Sequence, residues 1–232
     1  MNSNNSDKLF CELFGEDGDD DGEEDEDINA DLRFLEPSEP TYQVEEPVPG
    51  LVIYRQVLSH TLCTQYFAWL TNEYFSQSKV NQGMHFGSLD DKAPLRLLSQ
   101  ISHKLPRLLP TTVGFDQAIV NLYECGDGIG DHVDLMRFED GIVGFSFGGS
   151  AVMRMRRVRD MKAAARYARE LETEDPSEIA VMLGAGDVYA LSGEARYQWT
   201  HGIPKQINGI DNIKSPRISV TLRKLADGKS IN

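Results

Sequence analysis

The sequence predicts an α+β protein that is mainly β, with two flanking helices ahead of a largely antiparallel sheet system. Three observations predict it. Beyond residue 115 short runs alternate between apolar and polar residues: AIVNLYE, GIVGFSF, AVMRMR, GDVYAL and RISVTLRK. Gly-rich or Asp-rich turns separate them, as between antiparallel strands. Ahead of them lie two stretches with apolar residues on helical spacing. Strands grouped after helices, rather than alternating with them, argue against a doubly wound parallel sheet.

Residues 1–46 hold 17 Asp/Glu against two bases, Lys8 and Arg33. Ten of the twelve positions in 16–27, EDGDDDGEEDED, are acidic. Like charges that dense repel and have no apolar surface to bury, so a disordered tail is expected. Pro37, Pro40, Pro47 and Pro49 favour an extended linker. The division expected is a tail and linker over 1–46 and one folded domain over 47–228. The 232 residues carry a net charge of −14, yet the part after residue 46 holds 20 acids and 21 bases. The body is near neutral, so total charge does not exclude a nucleic-acid partner.

After Gly50, LVIYRQVL reads as a strand. Ser59 or Thr61 suits the cap of a first helix, in which Leu62, Phe67, Leu70 and Phe75 recur at helical spacing. PLRLLSQISHKLPRLL, residues 94–109, reads as a second helix: Pro94 is tolerated in its first turn, and Pro106 ends or kinks it. A basic helical stretch, Val158 to Leu171, interrupts the later strands.

Several classes are excluded. No run of about 18 apolar residues exists to span a membrane. MNSNNSDKLF lacks the basic and apolar regions of a secretory signal. The three cysteines, Cys11, Cys63 and Cys125, are odd in number and scattered. A disulfide scaffold or cysteine-built zinc site does not fit, and a reducing compartment, cytoplasm or nucleus, is expected.

The first chemical signal is His132-Val133-Asp134. On a strand, residues two apart point to one face, about 7 Å apart along the chain. His201, within YQWTHG, supplies a second imidazole. Two His and one carboxylate form the facial triad of non-haem Fe(II) oxygenases, which leaves open positions for a bidentate keto acid and O2. A lone HxD is as well explained by ordinary strand residues, and His60 and His103 carry no such signal.

A further signal is Arg217-Ile218-Ser219-Val220-Thr221-Leu222-Arg223. Alternation puts Arg217, Ser219, Thr221 and Arg223 on one face. Two inward guanidiniums are costly unless they meet anions, and a dicarboxylic keto acid offers two carboxylates. Solvated arginines on an edge strand are the alternative. In the same way Asn121 and Tyr123 share a face and can donate to carboxylate oxygens.

In order, NLYECGDGIGDHVD, SFGGSAVM, GDVYALSGEARYQWTHGI and RISVTLR resemble the AlkB-like 2-oxoglutarate- and Fe(II)-dependent dioxygenases over about residues 50–225, with an eleven-residue step from Asn121 to His132. The resemblance implies a double-stranded β-helix, or jelly-roll, core. It implies that His132, Asp134 and His201 bind iron and that Arg217, helped by Tyr123, pairs with the distal carboxylate of 2-oxoglutarate. Asn121 and Arg223 would lie near the carboxylate that chelates iron. Ser219 stands where relatives often have Asn, which leaves its role open. Gly193, Glu194 and Arg196 match a loop shaping the pocket, where Arg196 either contacts substrate or braces the loop. The implied reaction is oxidative decarboxylation of 2-oxoglutarate coupled to hydroxylation of a substrate C–H. At an N-methyl carbon the product loses formaldehyde, which is demethylation.

GEARYQWTHGI is similar to the tRNA-hydroxylase branch, and His85-Phe86-Gly87 resembles a lid hairpin there, so RNA or tRNA is the favoured substrate. Residues 154–169 add seven bases (Arg154, Arg156, Arg157, Arg159, Lys162, Arg166, Arg169) against Asp160. Such a run suits phosphates, or else a solvated face or the acidic tail. Family members that repair DNA carry an acid two positions after the metal Asp. Met136 stands there and cannot accept from a base's exocyclic amine, which disfavours repair of methylated adenine or cytosine. A methylated protein side chain, and a non-catalytic module on the same fold, are the alternatives.

Overall fold

A computed structural model describes residues 42–77, 80–105, 114–158 and 178–226. The chain divides into two units, Met1–Gln43 and Val44–Asn232. The acidic tail, and Arg159, Lys162, Arg166 and Arg169 of the basic run, lie outside the described residues.

The second unit opens with β1 (Val44–Val48), antiparallel to β2 (Leu51–Tyr54). Three residues expected in the linker, 44–46, therefore belong to a strand. Pro47 does not prevent this, because β1 is the sheet edge, where a missing N–H breaks no ladder. Gly50 turns the pair at φ +86°, and a Cβ there would fall 2.1 Å from the Ser192 carbonyl oxygen. The strand expected over LVIYRQVL stops at Tyr54, and Gln56 turns the chain at φ +54°.

Ser59 caps α1 (His60–Phe75) by accepting from Leu62 N at 3.2 Å. Next come β3 (Gln82–Phe86), a 3-10 turn and α2 (Ala93–Lys104), with Pro94 in its first turn. Then follow β4 (Gln117–Tyr123), β5 (Ile129–His132), β6 (Ile142–Gly148), β7 (Ala151–Arg157), β8 (Ile179–Leu183) and β9 (Val188–Leu191). The short helix α3 (Gly193–Tyr197), β10 (Trp199–Ile203), the hairpin β11 (Gln206–Ile207) and β12 (Ile210–Asp211), and β13 (Arg217–Arg223) complete the described chain.

The strands form an antiparallel seven-stranded sheet, β1-β2-β9-β6-β13-β4-β3, and a four-stranded one, β5-β10-β7-β8. Val48, Leu51, Ile53 and Ile142 of the first pack with Met153, Met155, Val181 and Leu183 of the second. The two sheets thus share an apolar core between their inner faces, the jelly-roll arrangement expected. α1 packs on the outer face of the large sheet. Tyr66 of α1 stacks on Phe147 of β6 with centroids 5.2 Å apart, and Tyr66 Oη donates to the Pro94 carbonyl of α2.

β13 lies inside the large sheet, between β6 and β4. Its outward Ile218, Val220 and Leu222 are fully buried. Its inward polar residues face the space between the sheets, and there the site forms.

Candidate active site

Three segments meet in a cavity of about 120 Å³ between the sheets. β5 pairs antiparallel with β10, and the register sets His132 directly opposite His201. Opposed residues share a face, so the two rings meet, with centroids 4.4 Å apart. Asp134 lies two residues beyond the end of β5 rather than on the strand, so the loop, not strand alternation, brings it to the histidines. One ligand atom from each of His132, Asp134 and His201 lies within 4.8 Å of the other two.

Each donor is oriented by the protein. His132 Nδ1 donates to the Gly130 carbonyl at 2.9 Å, which leaves Nε2 as the lone-pair nitrogen. Asp134 Oδ1 accepts from Arg223 Nη1 at 2.9 Å, and Oδ2 lies 3.4 Å from His201 Nε2. Burial by itself would raise the Asp134 carboxyl. The neighbouring His201, Arg223, His132 and Arg196 outweigh it and hold the group below its ordinary range. Burial, with His132 beside it, lowers His201 to about 4. At pH 7 His201 is therefore a neutral imidazole and Asp134 an ionised carboxylate, the forms a divalent ion requires. Two nitrogens and one oxygen on one side of a cavity suit Fe(II) with open positions.

The far side of the cavity fits a carboxylate. Arg217 is 1% exposed; its Nε donates to Ser146 Oγ at 3.1 Å, while Nη1 is buried without a protein partner. A buried guanidinium with an unanswered N–H is costly alone and suits an anion. Tyr123 lies beneath it, 5.4 Å from guanidinium carbon to ring centre, and shares a hydrogen bond with Ser219. Asn121, Tyr123, Arg217, Ser219, Thr221 and Arg223 all line the cavity.

Tyr189 also lines it and carried no signal of its own in the sequence. Its ring lies over Gly144 on the neighbouring strand, where a Cβ would come within 2.2 Å of it. Its hydroxyl bonds Thr221, and burial pushes it up to about 12. The glycine inside GIVGFSF was the available signal, since an interior strand glycine marks a close approach. Gln117 was missed as well. It is buried, and its Oε1 accepts from Arg223 Nε at 2.7 Å.

Several expected residues are also held by the protein itself. Arg223 lies over the Phe138 ring at 4.1 Å, bonded to Gln117 and Asp134, and so braces the triad carboxylate. Arg196 is 1% exposed, and its two terminal nitrogens donate to the Asp134 and Leu135 carbonyls at 2.8 Å. Buried there, it holds the loop through these two carbonyls. His85 bonds the Ser88 carbonyl and lies on the face of β3 opposite Gln82, which lines the cavity. Met84 and Phe86 continue the Gln82 face and are exposed. Met136 is 53% exposed and is not among the cavity-lining residues.

The described part of the basic run is neutralised at home. Arg154 pairs with Asp131 at 2.9 Å, Arg156 with Glu178 at 2.7 Å and Arg157 with Glu194 at 3.6 Å. These three stand on β7, the strand that the alternation in AVMRMR predicts.

Jelly-roll sheets enclosing a His-Asp-His triad and a buried anion-ready arginine define a non-haem iron oxygenase. Residues 40–223 match the model of the 2OG-Fe(II) oxygenase superfamily, and the chain belongs to that superfamily. Fe(II) is its metal and 2-oxoglutarate its co-substrate, with O2 as oxidant.

The chain is 36% identical over 124 residues to the Arabidopsis thaliana "Alkylated DNA repair protein ALKBH8 homolog", covering 49% of this chain and 35% of that protein. It is 27% identical over 194 residues to the Mus musculus "tRNA (carboxymethyluridine(34)-5-O)-methyltransferase ALKBH8", covering 74% and 27% respectively. It thus spans about a third or less of the length of these two relatives. Among solved structures, OsALKBH1 matches with a TM-score of 0.52 at 17% identity, covering 78% of this chain and all of that one. HygX of Streptomyces hygroscopicus, with nickel and 2-oxoglutarate bound, matches at 0.53 and 10% identity, covering 78% and 84%. At such identity these two likenesses show the fold alone. No described helix is long and apolar enough to cross a membrane.

Proposed function

We propose that this enzyme hydroxylates or oxidatively demethylates a nucleic acid, with RNA or tRNA favoured over DNA repair. In this proposal His132, Asp134 and His201 hold Fe(II). Arg217, with Tyr123, Ser219 and Tyr189, receives the distal carboxylate of 2-oxoglutarate, and Asn121 faces the end that chelates iron. The metal and co-substrate together supply oxidation of a substrate C–H. The chain's own residues bind, orient and exclude water: Arg223 and Arg196 fix Asp134, His132 keeps its proton on Nδ1, and the sheets wall off the cavity.

The observation that carries the substrate class is likeness to a tRNA methyltransferase over 74% of this chain. Chemistry beside the cavity supports it. Met84 and Phe86 extend the cavity-side face of β3, and Leu135 and Met136 follow Asp134; all four are exposed. Exposed Phe and Met side chains suit contact with the flat face of an unpaired base. Met136 supplies no acceptor for an exocyclic amine, which counts against repair of methylated adenine or cytosine.

A succinate-release screen over methylated DNA, RNA, tRNA and methyl-lysine peptides tests the substrate. Release above background only with RNA or tRNA is expected. Release only with methyl-lysine peptides would move the enzyme to the protein-directed alternative. Without Fe(II) or 2-oxoglutarate none should release succinate.

A further inference from the structure

Asn121 sits within a polar row that crosses four strands of the large sheet. Gln82 on β3 is its partner on one side and Ser219 on β13 on the other, and Ser219 in turn faces Ser146 on β6. Gln82, Asn121 and Ser219 all line the cavity. Within the row, Gln82 Nε2 donates to Asn121 Oδ1 at 2.7 Å.

This bond decides which end of the Asn121 amide meets an anion. A carboxamide has one end that only accepts and one that donates twice, and the two ends are almost the same size. Packing therefore does not choose between them; hydrogen bonding does. A carboxylate needs donors and is repelled by a carbonyl oxygen. With Oδ1 accepting from Gln82, the NH2 is the end left to donate to an anion.

We propose that Gln82 is a positioning residue for 2-oxoglutarate, holding the Asn121 amide with its NH2 toward the co-substrate's iron-chelating end. This rests on the placement of 2-oxoglutarate beside Asn121 argued under the proposed function. It also couples the co-substrate site to β3, the edge strand whose exposed Met84 and Phe86 continue the Gln82 face. Gln82 acts through Asn121, to which its side chain is hydrogen-bonded.

The test is calorimetric titration of 2-oxoglutarate into the Mn(II)-loaded protein, without turnover. Wild type, Gln82→Met and Gln82→Glu are compared at low salt and at about 1 M salt. Methionine keeps the volume and removes the donor, leaving the Asn121 amide undirected. Its affinity should fall by about threefold to tenfold. A carboxylate at this position can only accept, so it draws the Asn121 NH2 away from the cavity. Gln82→Glu should bind more weakly still. That order should persist at about 1 M salt, where a Debye length of about 3 Å screens repulsion by the added charge. Mn(II) affinity should match wild type in both variants. Equal 2-oxoglutarate affinity in wild type and Gln82→Met overturns the proposal. So does equality of the two variants at high salt, or a loss shared by Mn(II) binding. If wild type itself binds no 2-oxoglutarate, the underlying placement fails instead.

Discussion

Arg223 Nη1 donates to Asp134 Oδ1 at 2.9 Å, and this leaves Oδ2 as the oxygen facing His201 Nε2 at 3.4 Å. One oxygen of the carboxylate is held by the protein and the other is turned to the metal position. Gln117 and the Phe138 ring fix the guanidinium in turn. Arg223→Lys keeps the charge but loses the fork and the stacking. Affinity for Mn(II) or Fe(II) should fall by about tenfold to a hundredfold. A metal titration giving the wild-type Kd would contradict this bracing role.

His132→Ala removes one of three donors and leaves a cavity at the end of β5. It should abolish 2-oxoglutarate-dependent succinate release and weaken Mn(II) binding by at least about a hundredfold, because under the proposed assignment the triad would supply only three donors to the ion. Circular dichroism should still report the wild-type fold, since the His132 ring is not part of the apolar core shared by the two sheets. Residual succinate release at the wild-type rate would remove His132 from the metal set.

Gly144 gives the Tyr189 ring its place, so Gly144→Ala should force the ring aside. Overpacking of this kind costs about 1–3 kcal/mol. Thermal unfolding should show the loss, and 2-oxoglutarate affinity should fall with it. Tyr189→Phe keeps the ring and removes only the hydroxyl. Its effect should appear mainly in 2-oxoglutarate binding, measured by titration, with a smaller change in Tm.

Arg196→Met should destabilise the protein without the selectivity change of a substrate contact. It strips the donors from the Asp134 and Leu135 carbonyls, a loss of about 2–4 kcal/mol for two partly or fully buried acceptors. Denaturant titration measures it. A wild-type unfolding midpoint combined with an altered substrate preference would return Arg196 to the substrate-contacting role.

Cys63 is buried and Cys125 is exposed. Burial, with Asp187 nearby, pushes the Cys63 thiol up from 9.0 to about 11. A thiol with a raised folded-state value stabilises the fold fully below its unfolded value, and that contribution is lost as pH rises through the folded one. The stability difference between wild type and Cys63→Ala should therefore hold up to about pH 9 and shrink towards pH 11. In native labelling near neutral pH, iodoacetamide should modify Cys125 and spare Cys63, since the thiolate is the reactive form. A stability difference that stays flat across this interval would contradict the assignment.

Local pattern alone determined much of this protein. Period-two alternation in 217–223 separates Arg217, Ser219, Thr221 and Arg223 from Ile218, Val220 and Leu222, because strand side chains alternate whatever surrounds them. Ser59 capping α1 was equally local. The HxD pair, His201 and the ordered motifs named the family's chemistry. What the residues then do was decided by tertiary structure, because partners distant in sequence set it. Arg196 meets the Asp134 carbonyl across 62 positions, and Arg223 meets Gln117 across 106. The parity of β3 turned His85 away from the cavity and Gln82 towards it. The register of β5 on β10 set two histidines 69 residues apart face to face. Alternation names the face of a strand; only packing between sheets decides which polar groups on that face are spent on the protein and which, like Arg217 Nη1, are left for a ligand.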